Sequence, residues 1–140
     1  MEALKIGVIG AGRIGKIHAE NIARFIPQAK LEGVADIKLT AEQEGWAKKL
    51  GVRTLSKDPS ELLKDPSVEA VVICSSTDTH ADLVIAAAEA GKQIFCEKPV
   101  DLSVPKVKKA LEAVKKAGVK LQIGFNRRFD HNFARIREYT

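Results

Sequence analysis

Short apolar runs, each followed by an amphipathic stretch, recur along nearly the whole chain, and this alternation limits the fold more than any other feature. Val68-Glu69-Ala70-Val71-Val72-Ile73-Cys74 is the plainest run. Its apolar residues fall on both faces that a strand presents, which suits a strand covered on two sides. Leu4–Ile9, Leu31–Asp36, Gln93–Cys96 and Val119–Gly124 read as further strands, and Val52–Leu55 as a short one. Helical patterns lie between them. Ile14, Ile17, Ile22 and Phe25 are spaced to line one helical face. Leu39–Leu50 reads as a helix closed by Gly51, and Asp58-Pro59 opens a short one. Asp78 or Thr79 is expected to cap a helix running to Ala90 and ending at Gly91. Ser103 is expected to cap another, with Val104, Val107, Leu111 and Val114 sharing a face ahead of Gly118. Such alternation predicts an α/β fold, a doubly wound parallel sheet of about six strands with helices on both faces.

Length and charge narrow the function. A chain of 140 residues suits one domain with a core of its own. With 45% hydrophobic residues it carries too much apolar content for disorder to dominate. No apolar run approaches the roughly 18 residues that a bilayer span needs, and Met1-Glu2-Ala3-Leu4-Lys5 lacks the layout of a secretory signal. The net charge of +5 is a mild excess. Six lysines (Lys106, Lys108, Lys109, Lys115, Lys116 and Lys120) crowd one predicted helix, but opposite its apolar face and without aromatics to stack bases, so nucleic-acid binding is not expected. Cys74 and Cys96 form no C-x-x-C pair and suggest no metal site; they fit reduced thiols in a cytoplasmic protein. Both end predicted strands about one or two strand spacings apart, which leaves a disulfide between them open.

The chemistry concentrates after the first strand. Gly10-Ala11-Gly12-Arg13-Ile14-Gly15 matches G-x-G-x-x-G between a predicted strand and a predicted helix, and Asp36 follows Gly15 by 21 positions at the end of the second strand. In that setting the pattern is the dinucleotide-binding fingerprint of a Rossmann fold. Gly10 permits a tight turn, Gly12 lets the backbone approach a pyrophosphate, and Gly15 lets the helix pack closely on the strand. The helix start then presents free N–H groups and a partial positive charge to the phosphates. Asp36 is placed to accept hydrogen bonds from a ribose diol, with Ile37 beside it. A 2′-phosphate about 4 Å from that carboxylate would cost roughly 4 kcal/mol at an effective dielectric near 20 before screening. NAD is therefore favoured over NADP, although Lys38 lies close enough in sequence to offset part of the repulsion.

Two further segments follow strands, where ligands meet an open α/β sheet. They are Ser75-Ser76-Thr77-Asp78-Thr79-His80 and Cys96-Glu97-Lys98-Pro99; Gly124-Phe125-Asn126-Arg127-Arg128-Phe129-Asp130 comes later. Taken with the glycine loop and Asp36, these residues resemble the glucose-fructose oxidoreductase/inositol dehydrogenase/MocA family, in particular its inositol 2-dehydrogenase branch. The resemblance implies hydride transfer between a polyol or sugar hydroxyl and NAD. By it, Lys98 is the catalytic lysine beside the nicotinamide and the reacting hydroxyl, and Arg127 also reaches the substrate. Asn126 shapes that loop. Glu97 positions the loop and touches the cofactor ribose, and the bond before Pro99 is expected to be cis. Ser75, Ser76 and Thr77 line the pyrophosphate and nicotinamide ribose, while His80 packs or caps near that loop. Gly10, Gly12, Arg13, Ile14, Gly15, Asp36 and Ile37 complete the cofactor contacts.

The family also implies a second, larger α/β domain that supplies an Asp and a His to the substrate. His18 and His131 do not stand in for these and read as helix or surface residues. Residues 1–125 are accordingly expected to form the NAD-binding domain, with 126–140 beginning the connection to a substrate domain. Phe129, Phe133 and Ile136 fall at helical spacing in a stretch that breaks off at Thr140 without a cap or turn signal. Their exposure would allow a homo-oligomer through this segment. The expected behaviour is cofactor binding without turnover; the alternative is a stand-alone dinucleotide-binding module with no catalytic role.

Overall fold

A computed structural model describes residues 2–139. Six strands form one parallel sheet: β1 (Leu4–Ile9), β2 (Ala29–Ala35), β3 (Thr54–Ser56), β4 (Ala70–Ile73), β5 (Gln93–Glu97) and β6 (Leu121–Gly124). Their order is β3-β2-β1-β4-β5-β6, the doubly wound order, with the direction of winding reversing between β1 and β4. The helices are α1 (Arg13–Phe25), α2 (Ala41–Lys49), α3 (Pro59–Lys64), α4 (Thr77–Glu89), α5 (Val104–Ala117) and α6 (His131–Glu138), and a 3₁₀ turn spans Asn126–Phe129.

Alternate residues of the central strands serve two cores. Val71 and Ile73 join Ile9, Leu62, Val84 and Val114 on the face covered by α3, α4 and α5. Val72 joins Val8, Val34, Ala19 and Ile22 on the face covered by α1 and α2. All four residues of β4 are buried, as the absence of polar alternation in its sequence requires. Leu62 is completely buried, and burial of that side chain contributes about 1.5–3 kcal/mol. It fits because β1 and β2 present glycines beneath it: a Cβ on Gly33 would come within 2.5 Å of Leu62 Cδ2.

The β1–β2 ladder contains a bulge. Ile6 pairs with Leu31 and Gly7 with Gly33, so Glu32 is the extra residue on β2. Its buried carboxylate is bonded by Arg53 and lies 3.0 Å from Lys30 Nζ. Arg53 in turn bonds Asp65 and, at 2.6 Å, Ser67. Nearby, Lys92 donates 2.7 Å bonds to the carbonyls of Asp65 and Val68. These polar links gather around the ends where the strands begin.

Several local expectations are corrected. On α1 the buried residues are Gly15, Ala19 and Ile22, whereas Ile14, Ile17 and Phe25 are exposed. Ile22 is buried as its spacing suggests, while nearer the loop the small residues Gly15 and Ala19 face the sheet because the helix approaches closely at Gly15. On α5, Ala110 and Val114 are buried while Val104 and Leu111 face outward. Leu39 precedes α2, which Thr40 and Gln43 start with a reciprocal capping box. The third strand begins at Thr54 rather than Val52. Ser76, not Asp78 or Thr79, is the N-cap of α4; neither it nor Ser103 makes a side-chain capping bond. Phe129 does not share a helix with Phe133 and Ile136, because Asp130 interrupts the run and caps α6 by accepting from the Asn132 and Phe133 amides. Gly51, Gly91 and Gly118 each follow a helix in the left-handed region, as their positions suggested.

Candidate functional site

Because every strand runs the same way, the segments after β1, β2, β4, β5 and β6 all emerge along one edge of the sheet. A cavity of about 580 Å³ opens there at the β1/β4 reversal. Its walls include Gly10, Gly12, Asp36, Ile37, Ser75 and Ser76. That volume lies within the range of small-molecule and cofactor sites.

The three loop glycines have separate physical reasons. Gly10 has φ +100°, and a Cβ there would come within 2.6 Å of the Cys74–Ser75 backbone. On Gly15 a Cβ would lie 1.8 Å from the Gly10 carbonyl oxygen, so the first turn of α1 rests directly on the turn. Gly12 differs from both: its φ of −71° suits any residue, and nothing lies within 4 Å of the position its Cβ would take. The protein's own packing does not require a glycine at that point, and the open space faces the crevice. A dinucleotide fits this cradle, since a diphosphate laid against bare amides needs the room a side chain would fill.

Helix starts add charge. α2, α3 and α6 each receive a side-chain capping bond, from Thr40, Asp58 and Asp130. α1 and α4, which both begin at the crevice, receive none, and α1 has no acidic residue in its first turn. The free N–H groups and partial positive charge at the start of α1 favour an anion there, while Asp78 in the first turn of α4 offsets part of the charge at that helix start. α5 also lacks a side-chain cap, with Pro105 in its first turn.

Asp36 is tied to the loop. Its Oδ2 accepts from the Ala11 amide at 2.6 Å and its Oδ1 from the Lys38 amide at 2.8 Å. Gln43 completes the corner by donating to the Ala11 carbonyl at 2.8 Å. Sequence reasoning missed Gln43, although the T-x-x-Q capping pattern was a signal that its side chain turns back toward the start of α2.

Of the remaining expected residues, Arg13 and Ile14 lie in the exposed first turn of α1, and Thr77 begins α4. Lys98 and Arg127 come together in a second cavity of about 580 Å³, lined also by Phe125, Asn126 and Arg128. The Lys98–Pro99 bond is cis. Glu97 ends β5, and its Oε1 lies 2.8 Å from His18 Nε2. His18 is therefore not a bystander on α1: its ring packs against Phe95 and its nitrogen holds the carboxylate next to Lys98. Position alone gave no sign of this, because the partners are 79 residues apart.

The loop after β4 carries its own network. Thr79 Oγ1 donates to the Ser76 carbonyl at 2.7 Å and lies 2.7 Å from Ser75 Oγ. His80 is almost wholly buried, with Nδ1 2.7 Å from the Pro99 carbonyl oxygen and Nε2 2.9 Å from that of Ser75. Cys74 lines the first cavity and Cys96 lies within the core; both are free. Burial, reinforced by the Glu97 charge, pushes each thiol up to about 12, which makes both poor nucleophiles. Among the described residues, no group of three or more His, Cys, Asp and Glu could hold a metal ion, and no helix is long and apolar enough to cross a membrane.

Comparison with known proteins agrees with this geometry. Residues 4–125 match the family model described as an oxidoreductase family with an NAD-binding Rossmann fold. The chain is 51% identical over 135 residues to a myo-inositol 2-dehydrogenase of Thermotoga maritima, covering 96% of this chain and 40% of that protein. It is 48% identical over 131 residues to the NAD(+)-linked scyllo-inositol 2-dehydrogenase of Bacillus subtilis, covering 94% and 38%. Among solved structures it resembles a scyllo-inositol dehydrogenase of Lactobacillus casei with bound NAD(H) and scyllo-inositol, at TM-score 0.91 and 34% identity, over 98% of this chain and 40% of that one. The chain thus spans about 40% of the length of these relatives. With the fold, the fingerprint loop and the match over residues 4–125 in agreement, the chain belongs to the glucose-fructose oxidoreductase/inositol dehydrogenase/MocA family and comprises its NAD-binding Rossmann domain.

Proposed function

We propose that this chain is the cofactor-binding part of an NAD-dependent dehydrogenase acting on a polyol or sugar hydroxyl, with inositols as the substrate class suggested by its relatives. The observation that carries the reading is the open space above Gly12, on a loop whose other two glycines the fold itself demands. Gly10, Gly12, Arg13, Ile14 and Gly15 would hold the diphosphate on the amides of the loop and of the first turn of α1. Asp36 has two acceptor positions taken by backbone amides. A carboxylate offers about four, so room remains for a ribose diol, with Ile37 beside it. Ser75, Ser76 and Thr77 would line the path toward the nicotinamide ribose, which Glu97 also touches. The dinucleotide, when bound, supplies the hydride acceptor. Lys98 would donate to the reacting hydroxyl oxygen and ease loss of its proton, and Arg127 would bind neighbouring hydroxyls across the shared cavity.

Residues 1–125 are read as the cofactor domain and 126–140 as the connection to a substrate domain; the extent of the family match supports this division. On its own the chain binds the dinucleotide without turnover. Lys98 and Arg127 are both exposed, and an exposed cation lacks the desolvation and fixed positioning that proton transfer from a bound alcohol requires. A cytoplasmic setting fits the two free thiols. Calorimetric titration with NAD, NADH and NADPH tests the assignment. NAD and NADH should bind, and NADPH at least tenfold more weakly, because Asp36 repels a 2′-phosphate. Absence of heat with all three would overturn the cofactor site, equal affinities would overturn the role of Asp36, and inositol oxidation by the chain would overturn its inactivity.

A further inference from the structure

His80 joins two loops between which, among the described residues, no backbone hydrogen bond runs. Its Nε2 meets the carbonyl oxygen of Ser75, in the segment after β4, and its Nδ1 meets that of Pro99, next to Lys98 after β5. At 2.9 and 2.7 Å both contacts have hydrogen-bond length. A carbonyl oxygen only accepts, so a ring nitrogen bonds it through its N–H, and the one ring reaches a carbonyl of each loop. His80 is 2% exposed and lies in the first turn of α4, so the ring is held in place by the packing around it. Both contacts are part-buried, with Ser75 half-buried and Pro99 exposed.

We propose that His80 is a positioning residue for Lys98, a two-pronged clasp that fixes the Glu97-Lys98-Pro99 segment against the Ser75-Ser76-Thr77 segment. The clasp explains how Lys98, itself exposed and without a side-chain bond among the described contacts, keeps a fixed place relative to the cofactor crevice. It rests on the reading of Lys98 as the catalytic lysine, but the bonds are measurable without activity.

Two substitutions separate the prongs. His80→Asn places an amide N–H near the position of Nδ1, and His80→Gln places one near that of Nε2. If the clasp positions Lys98, the Lys98 and Val100 amides should exchange with solvent about tenfold faster in the Gln variant than in the Asn variant, while amides 10–15 exchange as in the parent. Equal exchange at Lys98 in the two variants would overturn the proposal, since a merely space-filling histidine is replaced equally badly by either amide. NADH titration of the parent chain reads the cofactor site separately, so either idea can fail while the other stands.

Discussion

Gly12 and Gly15 look interchangeable in sequence and are opposites in the structure. A methyl group on Gly15 would meet a carbonyl oxygen at 1.8 Å, whereas one on Gly12 would meet nothing within 4 Å. Gly15→Ala should therefore unfold the chain or lower its thermal midpoint sharply. Gly12→Ala should cost at most about 1 kcal/mol of stability, the loss of a tolerable N-cap, yet weaken NADH binding tenfold or more. Thermal unfolding and calorimetric titration of both variants check this; equal loss of stability in the two would show that Gly12, too, serves packing. The motif was legible in the sequence because Gly10 and Gly15 answer to local backbone geometry. It could not reveal Gln43 or His18, whose roles depend on chain segments brought together only by the sheet.

At the scale of the element, the bulge on β2 is the instructive case. It inserts Glu32 as an unpaired extra residue and delivers its carboxylate to Arg53. The Arg53 hydrogen bond, helped by Lys30, holds the Glu32 carboxyl below its ordinary value of 4.5 against the opposing effect of burial. A carboxyl lowered on folding stabilises the native state above the unfolded value, and that contribution is lost as pH falls through the folded one. Glu32→Gln should destabilise the protein at pH 7 by about 1–2 kcal/mol, less than a fully buried pair because Arg53 is more than half exposed. The gap between variant and parent should close as pH falls below 4.5; urea unfolding at pH 7 and pH 3.5 measures it, and a constant gap would sink the account. Element types were legible from apolar periodicity, since β4 and its neighbours need cover on both faces. The facing of α1 was legible only in part: spacing favoured Ile14, Ile17, Ile22 and Phe25, of which Ile22 alone is buried, while beside the loop the close approach at Gly15 turns Gly15 and Ala19 to the sheet.

Across the whole molecule, apolar exposure is concentrated after β6. Phe125, Phe129, Phe133, Ile136 and Tyr139 are all exposed, and Arg127 lies over the Phe133 ring at 4.7 Å. Exposed apolar groups gathered in one segment favour association. The chain should bind an apolar dye and self-associate in light scattering at high concentration, and replacing Phe129, Phe133 and Ile136 with serine should reduce both. A dye-silent monomer would contradict this expectation.

The polar links of Glu32, Arg53, Asp65 and Lys92 gather where strands begin, whereas the glycine loop, Asp36, Ser75 and Lys98 follow strands' far ends. Mutational libraries confined to exposed positions just downstream of each strand should thus return mostly folded members with altered ligand preference. Libraries aimed at the opposite rim should return mostly unfolded ones, so the two ends of a single sheet can be redesigned almost independently.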